Sequence, residues 1–283
     1  METAPPNPAR PAFPTRSPWL VSTLVIGVFL VVNAIGLTPF RAVAGDWEGW
    51  SRIAALAVLG YGLYLAGPLL AASVLFGRSR ALAALGLTGS FPVALAFAGG
   101  CSLIVLAGIA ITSPLALSSQ LPLELMRGAV LPGAAEEVLF RAFLFGFLYR
   151  FAGWGFVPAA LLSAAVFGAD HLYRDWDALE AGAIALLTGV GGLWWSWLLV
   201  EWRWNAWIPI VFHVLLNAWW TAFDVSDSAL GGAWEIGLRL ACMAVSIAVT
   251  VILARRRGGL RIRGRRWWLG PSPGGPARAA ETA

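Results

Sequence analysis

Long apolar stretches recur along this chain and constrain its fold more than any other feature of the sequence. About eight of them can be delimited, at roughly 19–37, 52–76, 90–113, 126–149, 157–172, 181–200, 205–223 and 232–254. A helix needs roughly 20 apolar residues to cross the hydrocarbon core of a bilayer. Only 12% of the residues are charged, against about 25% in soluble domains. The sequence therefore predicts an all-α fold, a polytopic transmembrane helix bundle of about eight spans.

The segments before and after these stretches are polar and short. Residues 1–18 are rich in Pro and carry two arginines, which predicts a disordered cytoplasmic tail. Residues 255–283 begin with a cluster of seven arginines between positions 255 and 266. We therefore expect a transmembrane domain over residues 19–254, followed by an Arg-rich cytoplasmic tail over residues 255–283.

The distribution of arginine predicts the orientation of the bundle. One side of the membrane would carry Arg10, Arg16, Arg78, Arg80, Arg150, Arg203 and the C-terminal cluster, and the other side Arg41, Arg52, Arg127 and Arg174. The positive-inside rule then places both termini in the cytoplasm, and the composition indicates a bacterial plasma membrane. The net charge of +5 is explained by this cluster lying against anionic membrane lipid, so no nucleic-acid partner is expected.

Three charged residues stand in the middle of the fourth apolar stretch: Glu136, Glu137 and Arg141. An ionisable side chain at mid-membrane costs at least ~2.5 kcal/mol and is usually retained for function. At about 100° per residue, Glu137 and Arg141 are i,i+4 neighbours that can pair, whereas Glu136 projects in another direction. Low dielectric raises the pKa of an unpaired carboxylate towards neutral values. Glu136 is therefore the candidate general base, with Glu137 and Arg141 as its support.

The chain contains two histidines, and each lies within or beside an apolar stretch. His213 and Asn217 are i,i+4 neighbours, so an imidazole and an amide can converge on a developing oxyanion. His171 can position or polarise the water that Glu136 deprotonates, for attack on a peptide carbonyl without a covalent intermediate.

A catalytic metal is the alternative chemistry for the same residues. Glu136, His171 and His213 would supply the three ligands of a catalytic zinc site with an open position. The chain has no HExxH sequence, and the residues alone do not choose between metal-free and zinc-bound water. Zinc is therefore an open expectation, and no other cofactor is expected.

Three short motifs lie in order on three predicted helices. They read Glu136-Glu137-Val-Leu-Phe-Arg141, Phe167-Gly-Ala-Asp-His171 and His213-Val-Leu-Leu-Asn217. They resemble the EExxxR, FxxxH and HxxxN motifs of the CPBP family of intramembrane peptidases, which includes the type II CAAX prenyl endopeptidases and bacterial Abi-type proteins. The resemblance covers about residues 85–223.

The resemblance implies a peptidase core and a role for each motif residue. Glu136 and His171 would activate water, His213 and Asn217 would stabilise the oxyanion, and Glu137 with Arg141 would hold the arrangement. Both metal-dependent and metal-free mechanisms are proposed for this family, so zinc stays open.

The expected function is that of an intramembrane endopeptidase, acting on a membrane-associated or lipidated peptide or protein. The bacterial composition favours membrane-associated peptides, leader peptides or lipidated segments as substrates. A non-catalytic scaffold or bacteriocin-immunity protein of the same fold would share every motif. An ion- or proton-coupled transporter would also use intramembrane charges, and the glycine pair at 191–192 is a weak indication of one.

Tryptophan is concentrated in the segment 191–220, at positions 194, 195, 197, 202, 204, 207, 219 and 220. Interfacial packing is the interpretation we favour for this cluster, and a lipid-facing groove is the alternative.

Overall fold

The computed structural model describes residues 13–172, 177–223, 225–226, 228 and 230–271. Within these ranges the α-helices are, in chain order, α1 (Pro18–Ile35), α2 (Thr38–Ala44), α3 (Gly49–Ala55), α4 (Gly62–Phe76), α5 (Arg78–Ala84), α6 (Phe91–Ala94), α7 (Gly100–Thr112), α8 (Leu121–Leu125), α9 (Leu131–Glu136), α10 (Gly146–Arg150), α11 (Phe156–Ala169), α12 (Ala178–Glu201), α13 (Trp207–Ala222) and α14 (Ala233–Arg256). π-Helical stretches join some of them into longer rods, at Leu56–Gly60, Leu95–Gly99, Met126–Val130 and Glu137–Phe145. A short 3-10 helix follows at Gly264–Trp267.

In the part of the chain that the structure describes, five helical rods are long and apolar enough to cross a membrane. They are Pro18–Ala44, Gly49–Phe76, Phe91–Thr112, Ala178–Glu201 and Ala233–Arg256. The shorter α11 and α13 are also apolar. The remaining rod, over residues 121–150, carries Glu136, Glu137 and Arg141. Large apolar side chains lie exposed on these rods, as helices that face lipid require. The all-α polytopic bundle is thus confirmed, with a rod at each predicted position.

The rod over residues 121–150, called the central rod below, departs from the regular α-helix that we predicted. It contains the π-helical stretches Met126–Val130 and Glu137–Phe145. The first lies just before Pro132, which has no backbone N–H and cannot continue the regular hydrogen bonding. Across the second, the rotation of 100° per residue assumed from the sequence does not hold. π-Helical turns are frequent at functional sites.

Close contacts between small residues set the places where the site-bearing helices meet. A Cβ atom added to Gly133 would lie 3.0 Å from the backbone nitrogen of Val214, so α9 packs directly on α13. A Cβ atom added to Gly168 would lie 2.5 Å from the carbonyl oxygen of Ala185, so α11 packs directly on α12. Small residues allow such backbone approach between membrane helices. The Oγ of Ser163 also donates to the carbonyl oxygen of Phe140 at 2.9 Å, which holds α11 against the charged part of the central rod.

The described parts of the predicted tails pack against the bundle. Phe13 makes edge contacts with Phe76 and Phe151, with ring centroids 5.3 Å and 5.1 Å away. The backbone N–H groups of Arg261 and Ile262 donate to the carboxylate of Glu201 at 2.8 Å and 2.9 Å. The beginning of the Arg-rich tail is therefore fastened to the end of α12. Residues 1–12 and 272–283, and with them Arg10 of the charge count, lie outside the described residues, as does Arg174.

Candidate active site

Glu137 lies at the centre of a buried group of three ionisable side chains. Its Oε2 atom is 3.3 Å from Nε of Arg141, and its Oε1 atom is 2.9 Å from Nδ1 of His213. Arg141 is 0% exposed, Glu137 1% and His213 6%. The predicted pair of Glu137 and Arg141 is present, as an ion pair. The contact with His213 was not predicted, because it depends on the packing of α9 against α13.

Aromatic rings surround this buried group on the side of α11 and α12. The guanidinium carbon of Arg141 lies 3.7 Å from the ring centroid of Phe167 and 5.3 Å from that of Trp195. The ring of Trp195 stacks on His213, with centroids 4.8 Å apart and an interplanar angle of 27°. Cation–π contacts partly replace the hydration that a buried guanidinium loses. Phe167 belongs to a predicted motif, whereas Trp195 was interpreted as interfacial and its role was missed.

Glu136 faces away from this group, into a polar cavity of about 290 Å³. Asp170 and His171 line the cavity beside it, and the helices before residue 77 complete the wall with Asn33, Arg41, Tyr61 and Tyr64. No hydrogen bond or ion pair within 4 Å joins the Glu136 carboxylate to another described residue. Glu137 is therefore paired, whereas Glu136 is turned to a space that can hold water.

The polar wall contributed by the first helices was missed in the sequence. Asn33 is a polar residue within the first apolar stretch, and its Nδ2 donates to Oδ1 of Asp170 at 3.4 Å. A polar residue inside a span is the signal that could have identified it.

His171 lies between two cavities, just beyond the end of α11. Its Nδ1 is 2.7 Å from the carbonyl oxygen of Phe167, so Nδ1–H donates and the neutral ring has its basic nitrogen at Nε2. Besides the cavity of Glu136, His171 lines a larger cavity of about 350 Å³, together with His213, Asn217 and Trp195. The wall of the larger cavity is mainly apolar.

Asn217 lies one helical turn beyond His213 and lines the same larger cavity. Its Nδ2 donates to the carbonyl oxygen of Gly128 at 3.1 Å. An amide NH2 group has two hydrogens, so one remains for a ligand in the cavity. Glu136 does not line this cavity, and Asn217 does not line that of Glu136. His171 thus connects the two halves of the predicted site.

The predicted three-ligand zinc site does not form among these residues. Within the described ranges, no three or more His, Cys, Asp or Glu side chains are grouped so that they could hold a metal ion. Glu136 and His213 line different cavities, so Glu136, His171 and His213 do not fit a three-ligand zinc site in this arrangement.

Comparison with known proteins gives one match. Residues 118–219 match the family described as type II CAAX prenyl endopeptidase Rce1-like. Searches of curated proteins and of solved structures gave no match. The matched segment contains all three motifs and the helices that carry them. Over this segment the chain is similar to the Rce1-like family of CAAX-type intramembrane proteases, and its apolar helical rods are those of a multi-pass membrane protein.

Proposed function

We propose that the chain hydrolyses a peptide bond of a membrane-associated substrate, with water activated between Glu136 and His171. The observation that carries the proposal is the position of His171, which lines both the cavity of Glu136 and the cavity of His213 and Asn217. The reacting carbonyl group must lie about 3 Å from both the attacking water and the oxyanion donors. The boundary between the two cavities offers such a place.

The reaction begins with a water molecule in the polar cavity. Glu136 accepts a proton from this water, while Nε2 of His171 accepts a hydrogen bond from it and orients it. The water oxygen attacks the carbonyl carbon, and the carbonyl oxygen becomes an oxyanion. Glu136 then delivers the proton to the leaving nitrogen as the C–N bond breaks. The products are a carboxylic acid and an amine, and transfer of a proton between them gives a carboxylate and an ammonium group.

The oxyanion is stabilised from the larger cavity. The remaining amide hydrogen of Asn217 and the Nε2–H group of a protonated His213 donate to it. A protonated His213 carries its positive charge beside the Glu137 carboxylate, which accepts from Nδ1 at 2.9 Å. Arg141 in turn prevents Glu137 from being an isolated buried charge. Glu137 and Arg141 are thus positioning residues.

The mainly apolar cavity of about 350 Å³ suits the apolar side chains of a short extended segment. Pockets for small ligands commonly measure 300–1,000 Å³. We infer that the substrate is a membrane-associated or lipidated peptide segment, such as a leader peptide. The arginine count supports both termini in the cytoplasm, and the composition supports a bacterial plasma membrane.

The proposal is tested by the peptides that host membranes release. Membranes with wild-type protein are compared with membranes containing Glu136→Gln, at equal abundance and equal thermal stability. Glu124→Gln is the matched control, because Glu124 is an exposed carboxylate on the same rod. We expect peptides that are produced by wild type and Glu124→Gln but absent with Glu136→Gln. Identical profiles from three folded proteins would refute the proposal and favour a non-catalytic scaffold or immunity protein.

A further inference from the structure

We propose, on the basis of the function proposed above, that Trp195 is a positioning residue that fixes the orientation of the His213 ring. Two contacts hold that ring in the structure. Glu137 accepts a hydrogen bond at its edge, 2.9 Å from Nδ1, and Trp195 covers one face at a centroid distance of 4.8 Å. The hydrogen bond alone leaves the ring able to rotate about the Nδ1 contact, whereas the stacked indole prevents this rotation.

Trp195 is also placed to connect His213 with Arg141. The guanidinium carbon of Arg141 lies 5.3 Å from the indole centroid, and Trp195 is only 7% exposed. Phe167 covers the guanidinium at 3.7 Å. The order of contacts is therefore Phe167, Arg141, Trp195 and His213, with Glu137 bound to both polar members. Movement of the indole would disturb both partners of Glu137.

Gly192 explains why this stack fits against α12. It lies one turn before Trp195, and a Cβ atom added to it would lie 3.0 Å from Nη2 of Arg141. That distance is tighter than most real Cβ contacts, so an alanine would shift the guanidinium by a few tenths of an ångström between the two aromatic rings. The glycine pair at 191–192, considered above as an indication of a transporter, thus has a packing reason at Gly192. The adjacent Gly191 has no atom within 4 Å of an added Cβ.

The orientation of His213 can be measured without any substrate. The chain has two histidines, so protein with isotope-labelled histidine gives NMR signals from two rings, and His171→Gln assigns them. Protons above an indole face are shifted upfield by the ring current. We expect this upfield shift for His213 in the wild type and its loss in Trp195→Leu. Trp195→Phe, which keeps a flat ring, should retain most of it.

Two controls separate this effect from general loss of packing. Trp197→Leu removes a partly buried indole from α12 that lines neither cavity, and it should leave the His213 signals in place. Gly192→Ala should move them, whereas Gly182→Ala, on the same helix with no atom within 4 Å of its added Cβ, should not. If the His213 signals are the same in wild type and Trp195→Leu, the proposal is wrong.

Hydrolysis of a peptide identified in the membrane comparison tests the consequence for the reaction. Misplacement of a reacting group by about 1 Å can reduce turnover about a hundredfold. We expect Gly192→Ala, which does not line the larger cavity, to lower kcat on the order of tenfold to a hundredfold with little change in KM. Unchanged kcat despite shifted His213 signals would overturn the positioning role. If wild type releases no peptide, the proposed function fails, and the NMR comparison still decides whether Trp195 holds His213.

Discussion

Replacement of Arg141 by methionine should destabilise the protein far more than the loss of an exposed arginine. The Arg141 side chain is fully buried, 3.3 Å from Glu137 and 3.7 Å from the Phe167 ring. Methionine retains much of the apolar stem and removes the charge. Glu137 would then be a buried carboxylate with His213 as its remaining described partner. Removing one member of a buried ion pair costs about 3–5 kcal/mol.

The magnitude depends on how far His213 compensates. Because the hydrogen bond between Glu137 and His213 remains in Arg141→Met, we expect the lower end of the range, about 3 kcal/mol. The double variant Glu137→Gln with Arg141→Met leaves no isolated charge, so it should be more stable than the sum of the single losses predicts. A coupling free energy of about 1–3 kcal/mol is expected for such contacting residues. Arg127→Met, at an exposed position on the same rod, should change stability by about 0.5 kcal/mol or less.

The chain provides its own probe for this measurement. Cys101 and Cys242 are both buried thiols, so a thiol-reactive fluorogenic dye reports unfolding in mixed micelles with increasing denaturing detergent. The free energies of unfolding of the four variants and the wild type are compared. An Arg141→Met protein as stable as Arg127→Met would refute the reasoning, as would a double variant whose loss equals the sum of the single losses.

Three further predictions follow from the packing and the site. Gly133→Ala should lower the free energy of unfolding by about 1–3 kcal/mol through overpacking, because its Cβ would meet the Val214 backbone at 3.0 Å. The control in the same unfolding assay is Gly27→Ala, which has open space around its Cβ. Equal stability of the two variants would contradict the close contact. Asn217→Ala should lower kcat on the order of 10²–10³-fold, because an oxyanion donor is lost. The lost hydrogen bond to Gly128 should lower the free energy of unfolding by only about 0.5–1.5 kcal/mol. Full turnover by this variant would exclude the role of Asn217 as an oxyanion donor. Hydrolysis should persist after treatment with a chelator, because Glu136 and His213 line different cavities. Activity that is lost and then restored by zinc alone would show that this arrangement is not the active one.

The positions of the helices could be predicted because the bilayer imposes a length on apolar stretches. The pair of Glu137 and Arg141 could also be predicted, since it depends only on residues four apart on one helix. The π-helical stretches of the central rod could not be predicted from a periodicity that assumes a regular α-helix.

Contacts between distant segments account for most of what was missed. Two features of the site depend on which helices are neighbours. They are the hydrogen bond between Glu137 and His213 and the contribution of Asn33 to the wall of the Glu136 cavity. The pairing of neighbouring helices is determined by close contacts such as that of Gly133 with Val214, which hydropathy does not reveal. Hydropathy likewise does not distinguish a tryptophan that faces lipid from Trp195, which faces a buried histidine.

The central claim is that Glu136 and His171 act on the same water molecule. Purified protein in liposomes, with one peptide from the membrane comparison, gives kcat for wild type, Glu136→Gln, His171→Gln and the double variant. Residues that act as a unit are strongly non-additive, and general acid–base catalysis contributes about 10²–10⁴-fold. We therefore expect each single variant to lose at least about a hundredfold and the double variant to be no slower than the slower single variant. Full activity of Glu136→Gln, or losses that multiply in the double variant, would contradict the claim.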